Sequence, residues 1–289
     1  MTLAPHPDSF LKTVDGRTVS LKAHGCVWSG EYPENSLAAV EECYRERVAR
    51  AEIDINMLLD SDFLVTHDAQ LDGSTTGRGL VSQTTRLEAE RLRFRHGPRV
   101  LDHRPPLLSE VVAKIRQQPF PTRLELDVKD IQPWPWRRVE ELAGLVEPVK
   151  DRVIFGGCSD WNLRRLRQAD PTVPLGFDPD FYLERARAGP VLLAEDLHRR
   201  LGQLVGLVPG ARELHLRLSA FERALQDGSR EVAQLVHEAG LLLDVWTLDA
   251  ATPDWDNRLA GAVAAGVDMI TTNTARALAA SWRAARSSC

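Results

Sequence analysis

Apolar and polar residues alternate in short runs along this chain, and longer stretches between them return an apolar residue every three or four positions. The alternating runs predict strands at 19–25, 51–57, 63–67, 123–129, 152–156, 173–177, 212–218, 241–247 and 268–272. The intervening stretches predict helices, among them 35–49, 107–117, 137–146, 160–168, 229–239 and 256–265. Helix 35–49 carries Leu37, Val40, Cys43, Tyr44 and Val48 along one side.

Strands alternating with helices imply a parallel sheet covered by helices. Nine strands are one too many for a closed eightfold barrel, and connection length identifies the extra one. Only five residues, Leu58 to Asp62, separate Met57 from Phe63. A parallel crossover needs a dozen residues or more, whereas a hairpin does not. Strand 63–67 is therefore expected to fold back antiparallel beside the second strand, leaving eight for an α/β TIM (β/α)₈ barrel. The long segments 68–106 and 178–211 then read as barrel loops, the first an inserted region after the second strand. The whole chain, 1–289, reads as one domain.

Composition narrows the function. Apolar residues make up 43% and charged residues 27%, which supports one large core. With 36 basic and 41 acidic residues the formal charge is −5, and only five of the basic residues are lysines. The arginines read as scattered, without a basic stripe, which argues against nucleic acid as a partner. Cys26, Cys43, Cys158 and Cys289 form neither a CxxC pair nor a zinc pattern, and a reduced, cytoplasmic setting is expected. No signal peptide and no membrane-spanning run is read from the sequence.

Candidate chemistry follows from strand alternation, because successive side chains point to opposite faces. Glu52, Asp54 and Asn56 share one face of their strand, opposite Ile53, Ile55 and Met57. Glu125, Asp127 and Lys129 share a face opposite Leu124, Leu126 and Val128. With the apolar faces under the helices, carboxylates from both strands point into the barrel, toward the end where barrel enzymes place their active sites. Such carboxylates repel unless a cation stands among them. One hard divalent cation, Mg²⁺ or Ca²⁺, answers this, and so do buried ion pairs such as Asp127 with Lys22 or Lys129. His24 and His67 end two strands beside this group and supply a candidate general acid and base.

These residues fall in a series: H-G at 24–25, P-E-N-S-L-A-A-V at 33–40, E-I-D at 52–54, V-T-H-D at 65–68, S-T-T-G-R-G at 74–79, D-V-K at 127–129, V-W-T-L-D at 245–249 and I-T-T-N at 270–273. In that order the series resembles the glycerophosphodiester phosphodiesterase family, from about residue 20 to residue 280. The resemblance implies a metal-dependent phosphoric diester hydrolase acting on a small-molecule glycerophosphodiester or related lipid-derived diester. It implies His24 and His67 as acid and base, Glu52 and Asp54 as metal ligands, and Asp127 as the third, with Glu125 as its competitor. Lys129 is implied as the phosphate contact, and Trp246 as a wall of the leaving-group pocket.

The chain also departs from the family pattern. The family's H-R-G is H-G-C here, so a phosphate-binding arginine is missing after His24, and Arg217 or, second, Arg78 is the expected substitute. Ser74 replaces an arginine before T-T, Leu248 and Asp249 displace the asparagine after W-T, and Asn273 replaces the aspartate of the last strand. The D-x-K strand and the missing arginine are similar to the sphingomyelinase D/phospholipase D branch, which acts on lysophospholipids. The same departures leave room for a catalytically silent barrel that binds a phosphorylated ligand. Oligomeric state is not legible.

Overall fold

A computed structural model describes residues 3–184, 194–226 and 231–287. Eight parallel strands close on themselves: β1 (Thr18–Ala23), β2 (Arg50–Met57), β3 (Arg123–Val128), β4 (Val153–Gly157), β5 (Leu175–Phe177), β6 (Ala211–Arg217), β7 (Leu242–Trp246) and β8 (Met269–Thr272). Closure comes from β8 pairing parallel with β1 and β1 with β2. This is the expected (β/α)₈ barrel. The ninth strand, Phe63–Val65, pairs antiparallel with β2 as the short connection requires. A further strand that the pattern does not announce, Phe10–Lys12, lies antiparallel on β1.

The two faces of the strands separate as alternation dictates. Ile53, Ile55, Leu124, Leu126 and Phe155 are fully buried in the main apolar core, while the acids between them point inward. In the β2–β3 register Glu52 stands opposite Glu125 and Asp54 opposite Asp127, so the carboxylates arrive in two adjacent layers.

Element ends differ from the periodic reading for local reasons. The first helix spans Leu37–Arg45 rather than 35–49, capped by the Ser36 side chain, which accepts the Ala39 N–H at 3.1 Å. Asn35 is held out of the helix at φ 61°, and Arg47, at φ 58°, stands just beyond its other end. Strand β1 stops at Ala23, and His24–Cys26 form a tight turn. Helices Leu218–Gln226 and Ala275–Ser287 were not anticipated. Residues 229 and 230 of the expected sixth helix, and Cys289, lie outside the described residues. The inserted region packs through its own apolar cluster of Leu58, Leu64, Leu71, Val81, Ala89, Leu92 and Leu107. No helix among the described residues is long and apolar enough to cross a membrane.

Candidate active site

Carboxylate oxygens of Glu52, Asp54 and Asp127 lie within 4.8 Å of one another on the inward faces of β2 and β3. Each is held by a different device. Glu52 Oε2 accepts the Gly25 N–H at 2.8 Å. Gly25 is required there: its φ is +53°, and a Cβ would stand 2.8 Å from Glu34 Cβ. Asp54 is clasped by Asn35, whose side-chain amide donates to Oδ2 at 2.6 Å and accepts the Asp54 N–H at 2.9 Å. Lys129 reaches Asp54 Oδ1 at 2.8 Å and Asp127 Oδ2 at 2.6 Å.

This group fits a hard cation. Glu52 Oε1 is buried with no hydrogen-bond donor among the described residues. Burial, together with the charges of Asp54 and Asp127, pushes the Glu52 carboxyl well above the usual range, a strain a cation relieves. For Asp54 burial acts in the same direction, but the Lys129 ammonium and nearby His67 outweigh it and hold the carboxyl below its ordinary value.

Both histidines face the same cavity, of about 190 Å³, which Lys129, Asp127, Arg217 and Trp246 also line. His24 lies 3.9 Å through Nε2 from Glu52 and 3.0 Å through Nδ1 from Asn273 Oδ1. The Asn273 amide nitrogen donates to Asp249 Oδ2 at 2.9 Å, so its oxygen faces His24 and must accept. That places a proton on Nδ1, the tautomer in which an unprotonated Nε2 can accept a proton from the cavity side. Two of the residues that depart from the family pattern, Asp249 and Asn273, thus orient His24. His67 is more exposed, with Nδ1 at 3.1 Å from Asp68 Oδ1.

Glu125 is engaged elsewhere. Its carboxylate pairs with Lys22 and with His215 Nδ1, the latter at 3.0 Å. Lys22 also reaches Asp244 Oδ2 at 2.6 Å, and Asp244 accepts the Thr271 hydroxyl at 2.8 Å. His215 Nε2 faces Glu213 at 3.5 Å, and Glu213 pairs with Arg50 at 2.7 Å. Lys22, Arg50 and His215 therefore balance Glu125, Glu213 and Asp244 inside the barrel. Two glycines make the room. A Cβ on Gly156 would fall 2.0 Å from Glu125 Oε1, and one on Gly176 2.6 Å from the His215 ring.

For His215 burial opposes the charged form, but the Glu125 carboxylate outweighs it and the imidazole is pushed up to about 10. For Glu213 burial acts upward, but hydrogen bonding to His215 and the charge of Arg50 hold the carboxyl down at about 2. The raised group stabilises the fold fully below its ordinary pKa of 6.5, and that contribution is lost as pH climbs to about 10. The depressed group stabilises fully above 4.5, and its contribution is lost as pH falls toward about 2. Denaturant unfolding across pH should therefore show the two contributions complete together only between those ordinary values. His215→Gln should flatten the alkaline limb, and an unchanged limb would assign it to other groups.

Arg217 stacks its guanidinium 4.8 Å from the Trp246 ring centre and donates to Asp180 Oδ2 at 2.6 Å. Arg78 is exposed on the inserted region and is not among the residues lining the cavity. The Trp246 indole nitrogen is buried with no acceptor. Asp178, also on the cavity wall, is a carboxyl that burial pushes up to about 7.

Residues 28–277 match the glycerophosphoryl diester phosphodiesterase family. The chain belongs to that family. A glycerophosphodiester phosphodiesterase of Caldanaerobacter subterraneus subsp. tengcongensis is 26% identical over 151 residues, 51% of this chain and 62% of that one. Another from Bacillus altitudinis is 27% identical over 173 residues, 54% of this chain and 68% of that one. The match thus spans less than two thirds of the first relative. Among solved structures, a glycerophosphodiester phosphodiesterase of Agrobacterium tumefaciens superposes with a TM-score of 0.65 at 18% identity, covering 91% of this chain and 99% of that one. An Oleispira antarctica phosphodiesterase, solved with its product sn-glycerol-3-phosphate, gives 0.64 at 19% identity, covering 91% and 96%.

Proposed function

We propose that this member of the family hydrolyses glycerophosphodiesters or related lipid-derived diesters with one divalent cation, Mg²⁺ or Ca²⁺. The observation that carries the reading is the convergence, in one cavity, of the Glu52–Asp54–Asp127 cluster with Lys129, His24 and His67. The product held by the Oleispira phosphodiesterase supports the substrate class. The three described free cysteines support a reducing, cytoplasmic setting.

Glu52, Asp54 and Asp127 hold the cation, which when bound neutralises charge on the non-bridging phosphate oxygens. Glu125 is a weaker candidate for third ligand because Lys22 and His215 occupy its oxygens. Lys129, whose ammonium lies between Asp54 and Asp127 on the cavity wall, would offer its positive charge to the phosphate. His24 Nε2 takes the proton of the attacking hydroxyl, with Nδ1 fixed by Asn273. His67, held by Asp68 at the solvent side, delivers a proton to the departing alkoxide. Trp246 lends its ring to the cavity wall, and Arg217, stacked on that ring and lining the same cavity, would stand in for the arginine missing after His24.

Removing the cation is the direct test. Glycerophosphocholine turnover by purified protein should fall to background in EDTA and return with added Mg²⁺ or Ca²⁺. Full turnover in excess chelator would overturn the role given to the three acids. Release of the alcohol from lysophospholipids, but not from glycerophosphodiesters, would move the protein to the phospholipase D-like reading.

A further inference from the structure

The arginines are less evenly spread than composition suggests. Residues 91–104 hold five of them, Arg91, Arg93, Arg95, Arg99 and Arg104, against one acid, Asp102, in a chain whose net charge is −5. Their direction follows from local structure. Leu92 and Phe94 are buried, so strand-like alternation turns Arg91, Arg93 and Arg95 to solvent. A short antiparallel hairpin follows, pairing Arg95 with Val100 and His96 with Arg99, and all four residues are exposed. Among the described residues Arg104 pairs with Glu110, whereas Arg91, Arg93, Arg95 and Arg99 have no carboxylate within ion-pair distance.

This hairpin forms part of the wall of a cleft of about 970 Å³ that also contains His67, so it stands at the mouth of the proposed active site. Four acids line that cleft: Glu31 and Glu34 from the loop after β1, Asp68 beside His67, and Asp102 just after the hairpin. Val100, paired with Arg95 on the hairpin, exposes 52% of its surface, and elsewhere the inserted region exposes Leu87 at 60% and Leu80 at 38%.

We propose that the inserted region docks the protein on an anionic phospholipid surface through Arg91, Arg93, Arg95 and Arg99, with Val100 entering the headgroup layer. Unpaired cations around an exposed valine match the two attractions such a surface offers, headgroup charge and an apolar boundary. The rest of the chain carries the opposite net charge, which leaves this face as the one that approaches. Single-stranded nucleic acid is the poorer fit, because it needs a series of exposed aromatic platforms, and with Phe94 only 6% exposed the hairpin offers His96 alone. Docking would bring the cleft to where lipid-derived diesters are produced, but the interaction itself does not depend on turnover.

Co-sedimentation with vesicles tests this separately from catalysis. Binding is expected to phosphatidylcholine vesicles containing phosphatidylglycerol, not to phosphatidylcholine alone, and to weaken with added salt. Arg95→Glu with Arg99→Glu should weaken it by at least about thirtyfold, since each arginine at such a surface is worth roughly fivefold. Val100→Asp should also weaken it, and thermal melting of both variants should match the parent. Equal binding to neutral and anionic vesicles, no binding to either, or binding unchanged by the charge reversal would each overturn the proposal. So would tighter binding to an oligonucleotide than to the anionic vesicles. Loss of turnover in EDTA with vesicle binding intact separates this proposal from the catalytic one.

Discussion

Lys22→Met is expected to destabilise the barrel by about 3–5 kcal/mol, the usual cost of removing one partner from a buried ion pair. Lys22 is 3% exposed, and its ammonium is shared by Glu125 and Asp244. Methionine fills similar space, so the loss reports charge rather than volume. Without the ammonium, Glu125 retains His215, but among the described residues Asp244 retains only the Thr271 hydroxyl, and this network is left with one carboxylate in excess of its cations. Against a domain stability of about 5–15 kcal/mol this is a large fraction. Urea titration would measure it. The deficit should shrink as pH falls, because a stranded carboxylate can take up a proton. A change under about 1 kcal/mol would show that the interior network does not depend on Lys22.

The largest effect on activity is expected at His24. His24→Ala should lower kcat about 10²–10⁴-fold, the range for removing a positioned proton-transfer group. The three cation ligands do not depend on the imidazole, since Glu52 is anchored by Gly25 and Asp54 by Asn35. Cation binding followed by calorimetry should therefore survive in the variant. A fall of less than tenfold would remove His24 from the proton-transfer role, and loss of cation binding together with activity would reassign it to the metal site.

The barrel was legible because its strands alternate cleanly and because five residues cannot make a parallel crossover. The same alternation placed Glu52, Asp54, Glu125 and Asp127 on inward faces, where the structure puts them. Partner choice was not legible. Asp127 and Glu125 differ by one pleat, and what separates them is whether a cation from another strand reaches first. Lys22 reaches Glu125 from β1, and His215 reaches it from β6. Asn35, Asp249 and Asn273 were missed as supports for the site because each acts across the fold. Asn273 meets His24 across 249 positions of sequence. The helix starting at Leu37 looked longer than it is because periodicity cannot see that Asn35 is withdrawn to clasp Asp54.

Gly156 and Gly176 set a limit of another kind. Neither residue carries chemistry, yet every base change that alters a glycine codon to another residue adds at least a Cβ, into space filled by Glu125 or by the His215 ring. The two positions are therefore nearly closed to single-step genetic variation so long as the interior charges stay. They open only if Glu125 or His215 is lost first, which would strip counter-charge from the residue left behind. The barrel's interior polarity is in this sense locked: its apolar alternatives lie several coordinated changes away.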